Sequence, residues 1–223
     1  MFFTNAFAQK NNYGSKILSG SQVKDIFTDQ IRKKLRIEYS IFRVYHYFDK
    51  SGEYYLVLTE REYKKDNGKV FNDSIKGFNI KIQGDTFVKI WNLNDFIIKQ
   101  KETENYESSI WFWTKILSLK DIDEDGLIEP IIIYGTSGLN GTDDGRIKIL
   151  IYYKGEKRAI RHQNGILDFE RNTQVDKQYY NLPFEIQQYV LFQMESIVKK
   201  NLAIFPRGYK EKMKSKIIFF DEK

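Results

Sequence analysis

Tyr39-Ser-Ile-Phe-Arg-Val-Tyr-His-Tyr-Phe48, then Asp49-Lys-Ser-Gly52, then Glu53-Tyr-Tyr-Leu-Val-Leu-Thr-Glu-Arg-Glu62 is the stretch that sets the fold class. Both flanks are rich in aromatic and β-branched residues, which suit a pleated surface, and the short polar segment ending in Gly suits a tight reversal. The stretch predicts an antiparallel hairpin. Downstream, residues 78–82 and 86–91 alternate apolar and polar around Gln83-Gly84-Asp85, predicting a second hairpin with one face buried. Residues 64–74 between the two are polar and read as a long loop, and residues 96–99 as a short strand. Residues 110–119 are apolar on both sides, with Ile110, Phe112 and Ile116 on one and Trp111, Trp113 and Leu117 on the other, which predicts a central strand covered on both faces. Residues 131–134 and 147–153 read the same way, and residues 158–161 follow the turn Lys154-Gly155-Glu156.

Helical spacing occurs at the two ends. Val23, Ile26, Phe27, Ile31 and Leu35 fall near one face of a short N-terminal helix with Ser21 as its cap. Pro183 and Glu185 open a C-terminal helix that carries Ile186, Val190, Met194 and Ile197 and stops near Lys199, Lys200 and Asn201. The expected fold is α+β: a mainly antiparallel β-sheet with a C-terminal helix and a short N-terminal one, forming one globular domain over residues 21–223.

Composition narrows the chemistry. Among 223 residues there is no Cys, which removes disulfide scaffolds, zinc ribbons and thiol catalysis. Only His46 and His162 are available as imidazoles. Neither is placed as a base: His46 lies inside the first hairpin between Tyr45 and Tyr47, and His162 is expected at the surface at a strand end. Lys and Arg total 36 against 30 Asp and Glu, a net charge of +6, yet the cations are interleaved with acids rather than gathered into a stripe. The densest group, Lys199, Lys200, Arg207, Lys210, Lys212, Lys214 and Lys216, reads as a solvated helix end and tail, so no nucleic-acid partner is expected. No apolar run approaches the ~20 residues of a transmembrane helix.

At the N-terminus, Ala6-Phe7-Ala8 fits the small-x-small pattern of a signal-peptidase site, with Gln9 as the first mature residue. Only Phe2 and Phe3 precede it as apolar residues, so residues 1–20 read as the remnant of an export leader followed by a polar lead-in.

One segment carries chemistry. In Asp121-Ile-Asp123-Glu-Asp125-Gly126-Leu-Ile-Glu129, carboxylates stand at positions 1, 3, 5 and 9 with Gly at 6. Calcium takes six to eight oxygens, and a tight loop can supply them from Asp121, Asp123, Asp125, Glu129 and the backbone carbonyl of Leu127. Glu124 is expected to point outward. The segment is no EF-hand, because position 12 is Ile132 where that motif needs a bidentate Glu. Asp143 or Asp144, in the following loop 135–145, could reach the same ion, but the segment reads first as a flexible hairpin loop in which Gly and Asp are expected. That loop contains neither GxGxxG nor a P-loop, and Ser137 is not in a nucleophile elbow. Trp91, Trp111 and Trp113 could form platforms for a glycan hydrolase, but Trp111 and Trp113 read as core, and no nucleophile, base and oxyanion donor assemble.

The acidic segment resembles the Asp-x-Asp-x-Asp-Gly calcium loops of integrin-type propeller repeats, present here once. A longer likeness covers about the C-terminal half: residues 119–126 with Glu129-Pro130, Tyr153-Lys-Gly-Glu-Lys-Arg-Ala-Ile-Arg161, and Leu182-Pro-Phe-Glu-Ile-Gln-Gln188. It resembles an uncharacterised family of exported Gram-negative proteins labelled surface polysaccharide biosynthesis proteins. The resemblance implies an envelope location and no established catalytic residues. The expectation is an exported, non-enzymatic domain, periplasmic or at the cell surface, that binds Ca²⁺. A periplasmic immunity or inhibitor protein that binds a toxin is the alternative, and a carbohydrate-active enzyme the third.

Overall fold

The computed structural model describes residues 13–98 and 106–222. Its first sheet is an antiparallel meander: β1 (Gly14–Ile17), β2 (Ser40–Asp49), β3 (Gly52–Asp66), β4 (Lys69–Gln83) and β5 (Thr86–Phe96), in that spatial order. Helices α1 (Gly20–Ile26) and α2 (Asp29–Leu35) sit between β1 and β2. The second sheet holds β6 (Ser109–Phe112), β7 (Ser118–Lys120), β8 (Glu129–Ser137), β9 (Arg146–Tyr153), β10 (Glu156–Gln163), β11 (Asn172–Val175) and β12 (Phe219–Asp221). Its order is β12-β11-β10-β9-β8-β6, and β7 pairs with β8 beyond β6. Helices α3 (Phe184–Lys199) and α4 (Tyr209–Lys214) come late in the chain.

Strand alternation assigns three cores, hence four layers of helix, sheet, sheet and helix. Between the sheets lie Tyr45, Tyr47, Leu56, Leu58, Ile75 and Leu93 from the first and Ile110, Phe112, Ile132, Tyr134, Leu150 and Tyr152 from the second. The outer face of the first sheet, with Val44, Val57, Phe78 and Ile80, packs on Phe27 and Leu35 of the α1–α2 segment. The outer face of the second, with Ile131, Ile133, Ile149, Ile151 and Ile160, packs on Ile186, Val190, Met194 and Ile197 of α3. β8 is buried along its whole length because it faces both cores. Each large aliphatic side chain sealed this way contributes about 1.5–3 kcal/mol of transfer free energy.

The α+β class, the antiparallel sheets and the C-terminal helix stand as the sequence predicts. Several details differ. Residues 64–74 are not a loop: β3 and β4 continue through them to a two-residue turn at Asn67-Gly68, both with positive φ. Their side chains are polar because residues 61–70 are solvated on both faces. The expected strand 110–119 is broken by a turn at 113–116 into β6 and β7, which puts Trp111, Trp113 and Ile116 against the α3 core and Leu117 against the inter-sheet core. The N-terminal helix is two helices. Ser19, not Ser21, caps the first, in a reciprocal capping box with Gln22, and Thr28 caps the second. Residues 14–17, expected in the lead-in, supply edge strand β1. Phe96 closes β5 rather than opening a new strand. Ala6, Phe7, Ala8, Gln9 and Lys99 lie outside the described residues. None of the helices among the described residues is long and apolar enough to cross a membrane.

Candidate metal centre at the acidic bend

The acidic segment is the irregular connection between the antiparallel neighbours β7 and β8. It closes by bonding to itself. Glu129, the first residue of β8, accepts the Ile122 N–H at 2.8 Å, Asp121 accepts the Gly126 N–H at 3.0 Å, and Asp125 accepts the Leu127 N–H at 2.9 Å. Glu124 and Gly126 take left-handed φ values of 56° and 86°. A Cβ at Gly126 would also press on the Lys50 side chain, so glycine is required there for conformation and for close approach.

The bend is then pinned to the other sheet. The β2–β3 turn donates Lys50 N–H to the Gly126 carbonyl at 2.9 Å, and Asp49 accepts the Ile128 N–H at 3.2 Å. Lys50 Nζ also donates to the Asp125 carbonyl. Lys154, in the β9–β10 turn, pairs with Asp125 Oδ2 at 3.2 Å. Asp49 and Lys50 were legible only as a hairpin loop, since nothing local shows that two turns distant in sequence will meet.

These constraints gather one oxygen each from Asp121, Asp123 and Glu129 to within 4.8 Å of one another. Glu129 is sealed, 1 % exposed, and Asp121 Oδ1 and Asp123 Oδ1 are buried with no hydrogen-bond partner among the described residues. Burial, with the neighbouring Asp123, Asp125 and Asp121, pushes the Glu129 carboxyl up to about 8. Burial likewise raises Asp121, helped by Asp125 and Asp123. Ionised together, the three would repel by about 1 kcal/mol per pair in water and several times that where solvent is excluded. Unpaired, hard, converging oxygens are the donor set of a cation site. The acidic triad could therefore hold a metal ion.

Asp125 lies outside the triad. Burial opposes its ionisation, but the Leu127 N–H, Lys154 and Lys50 outweigh that and hold its carboxyl below the usual range. Leu127 lines a neighbouring cleft. Glu124 is exposed. Asp143 and Asp144 cannot reach the triad, because they follow the far end of the nine-residue β8, roughly 25 Å away at the rise of a strand. There Asp144 accepts from the N–H and side-chain amide of Asn140 at 2.9 and 3.1 Å.

That far end contains a second group of buried acids. Glu107, 3 % exposed, accepts from Arg146 and from Thr136 Oγ1 at 2.7 Å, and Asp95, 8 % exposed, pairs with Lys148 at 2.7 Å. Here each carboxylate has its cation, as in a structural network. His162 is not at the surface. It is sealed between Thr173 and Asn164, each 2.9 Å from a ring nitrogen, and burial lowers its pKa to about 4. His46 rests against Tyr55 near Glu53. Trp113 is buried and Trp111 packs on the same core. The Trp113 ring crosses the backbone at Gly135, where any side chain would collide with it.

In comparisons with known proteins, no family model, curated protein or solved structure matches the chain.

Proposed function

We propose that the protein is an exported, non-enzymatic domain of the periplasm or cell surface, stabilised by one Ca²⁺ in the acidic bend and serving an envelope or surface-polysaccharide role. What carries the reading is the convergence of Asp121, Asp123 and Glu129 with two buried oxygens left unpaired. An all-oxygen set suits calcium or magnesium, and an irregular backbone that keeps the Leu127 carbonyl nearby in sequence suits the larger, less demanding calcium shell. Extracellular calcium modules bind at roughly 10⁻⁴ to 10⁻³ M, so such a site fills outside the cytosol and stays empty within it. The bend lies at the contact of two turns, one from each sheet, so the ion's role is structural and ties the sheets together at one end.

Calorimetric titration of the chelated protein with CaCl₂ tests the metal. One-site heat in the sub-millimolar to millimolar range, absent in Asp123→Asn, supports it, and no heat at neutral pH refutes it. Fractionation of the native host, with the protein found in the cytosol, would refute export.

A toxin-binding immunity protein is the second reading. It is favoured by Leu139, Ile166, Leu167 and Phe169, all more than half exposed, three of which line a hollow of about 620 Å³ floored by Asn164 and Asn172. Its test is co-purification with the product of an adjacent toxin gene, abolished by Phe169→Lys.

A further inference from the structure

Beside the bend, a cleft of about 440 Å³ opens between the two sheets, within the size range of small-molecule sites. Its walls are aromatic. Tyr47 and Tyr54 stack at 5.0 Å with planes 12° apart, and Trp91 stacks on Tyr152 at 3.6 Å and 8°. A backbone irregularity creates this arrangement. The β4–β5 register pairs Asn79 with Trp91 but Ile80 with Lys89, so Ile90 is an extra residue. Before that bulge, Phe87 and Lys89 face the α1–α2 layer; after it, Trp91 and Leu93 face the opposite sheet. One inserted residue inverts the parity of the strand and turns the indole into the cleft.

Two polar groups on buried lining residues lack a hydrogen-bond partner among the described residues. Asn79, 4 % exposed, accepts the Tyr47 hydroxyl at 2.8 Å through Oδ1, which leaves its Nδ2 unengaged. Tyr152, also 4 % exposed, has a hydroxyl with no hydrogen-bond partner. The charged lining groups are already committed: Asp49 accepts from Ser51 and Ile128, and Lys154 pairs with Asp125. A ligand for this cleft is therefore neutral, flat-faced and hydroxylated. A pyranose ring meets all three requirements, since its C–H faces carry the partial positive charge that an aromatic face attracts while its edge offers hydroxyls to an amide.

We infer that this inter-sheet cleft binds a neutral sugar residue of a glycan, stacked at Trp91 and hydrogen-bonded by Asn79. The inference rests on the surface-polysaccharide role proposed above and names the site through which it is exercised. Leu127 and Ile128 of the acidic bend form part of the same wall, so an ion in the bend fixes the cleft's rim.

Saturation-transfer NMR on the full chain, with maltohexaose, cellohexaose and chitohexaose in turn, tests it in calcium and in EDTA. Transfer to at least one of them in either condition is expected, weakened roughly two- to tenfold by Trp91→Ala, the loss equivalent to one stacked ring. Ile90 is 44 % exposed at the mouth, so Ile90→Arg blocks entry without disturbing the core and serves if Trp91→Ala does not fold. No transfer from any of the three in both conditions overturns the inference, as does transfer undiminished by Ile90→Arg, or a proline-rich decapeptide that binds the cleft where the glycans do not. Calcium calorimetry on the same samples separates the two readings: calcium heat without glycan transfer sinks the cleft and spares the metal, and the reverse result does the opposite.

Discussion

The two ends of β8 hold buried carboxylates in opposite states. At the Ser137 end, Glu107 and Asp95 lie beside Arg146 and Lys148 and need nothing further. At the Glu129 end, three carboxyl groups converge, and two of their buried oxygens have no partner among the described residues. The same strand, between the same two cores, thus carries one charge group completed within the chain and one that is not. The physical distinction is whether the counter-charge is built in. Where it is, removing either partner is costly; where it is missing, an added cation substitutes for it.

The largest effect falls at the completed end. Glu107→Ala leaves the half-buried Arg146 with only the more distant Asp95, 3.8 Å away, and should cost about 3 kcal/mol in urea unfolding, identically with calcium and with EDTA. A calcium-dependent loss would erase the contrast between the ends. The same end carries a pH dependence. His162 has a folded pKa of about 4 against 6.5 for the free side chain, so between those values the unfolded chain binds the extra proton. Stability from this group is full above pH 6.5 and declines as pH falls towards 4, by up to about 3 kcal/mol. The slope should be missing from His162→Gln, and an equal slope in the variant would show that other groups are responsible.

At the open end the effects are smaller and ligand-linked. With calcium at roughly twenty times its Kd, the wild type should gain about 2 kcal/mol over the chelated protein, seen as a raised melting temperature. Asp123→Asn should abolish that gain and, in EDTA, melt at or above the wild type because one repelling charge is gone. Coincident melting of wild type and variant in both conditions would mean the bend takes no ion. The smallest effect is expected from Asp125→Asn. This side chain is turned to Lys154, so calcium affinity should fall by less than about tenfold, under 1.4 kcal/mol. A loss as large as that of Asp123→Asn would restore Asp125 to the ligand set that its spacing suggests.

Much of this was legible in particular residues. The alternation in 78–82 and 86–91 reports a half-buried hairpin because period two is a local consequence of the pleat. Ile186, Val190, Met194 and Ile197 report the buried face of α3 for the same kind of reason. Residues 64–74 misled because a strand that extends past its core carries no apolar signal, although Asn67-Gly68 was a turn signal in plain view. His162 misled because Thr173 and Asn164, which satisfy it inside, gather around it only when β10, β11 and the following loop assemble.

The acidic bend divides along the same line. Sequence alone determined that carboxylates and a glycine recur at ligand spacing, that the chain between Trp113 and Glu129 must reverse, and that strands dominate, since spacing and pleat are properties of neighbouring residues. Only the tertiary structure decided that Glu129, Asp123 and Asp121 converge while Asp125 turns away, because that choice depends on Lys50 and Lys154 arriving from two other hairpins. The aromatic cleft was decided there too: a single extra residue in β5 sets which face Trp91 takes, and the partner strand that defines a bulge is never visible in the strand itself.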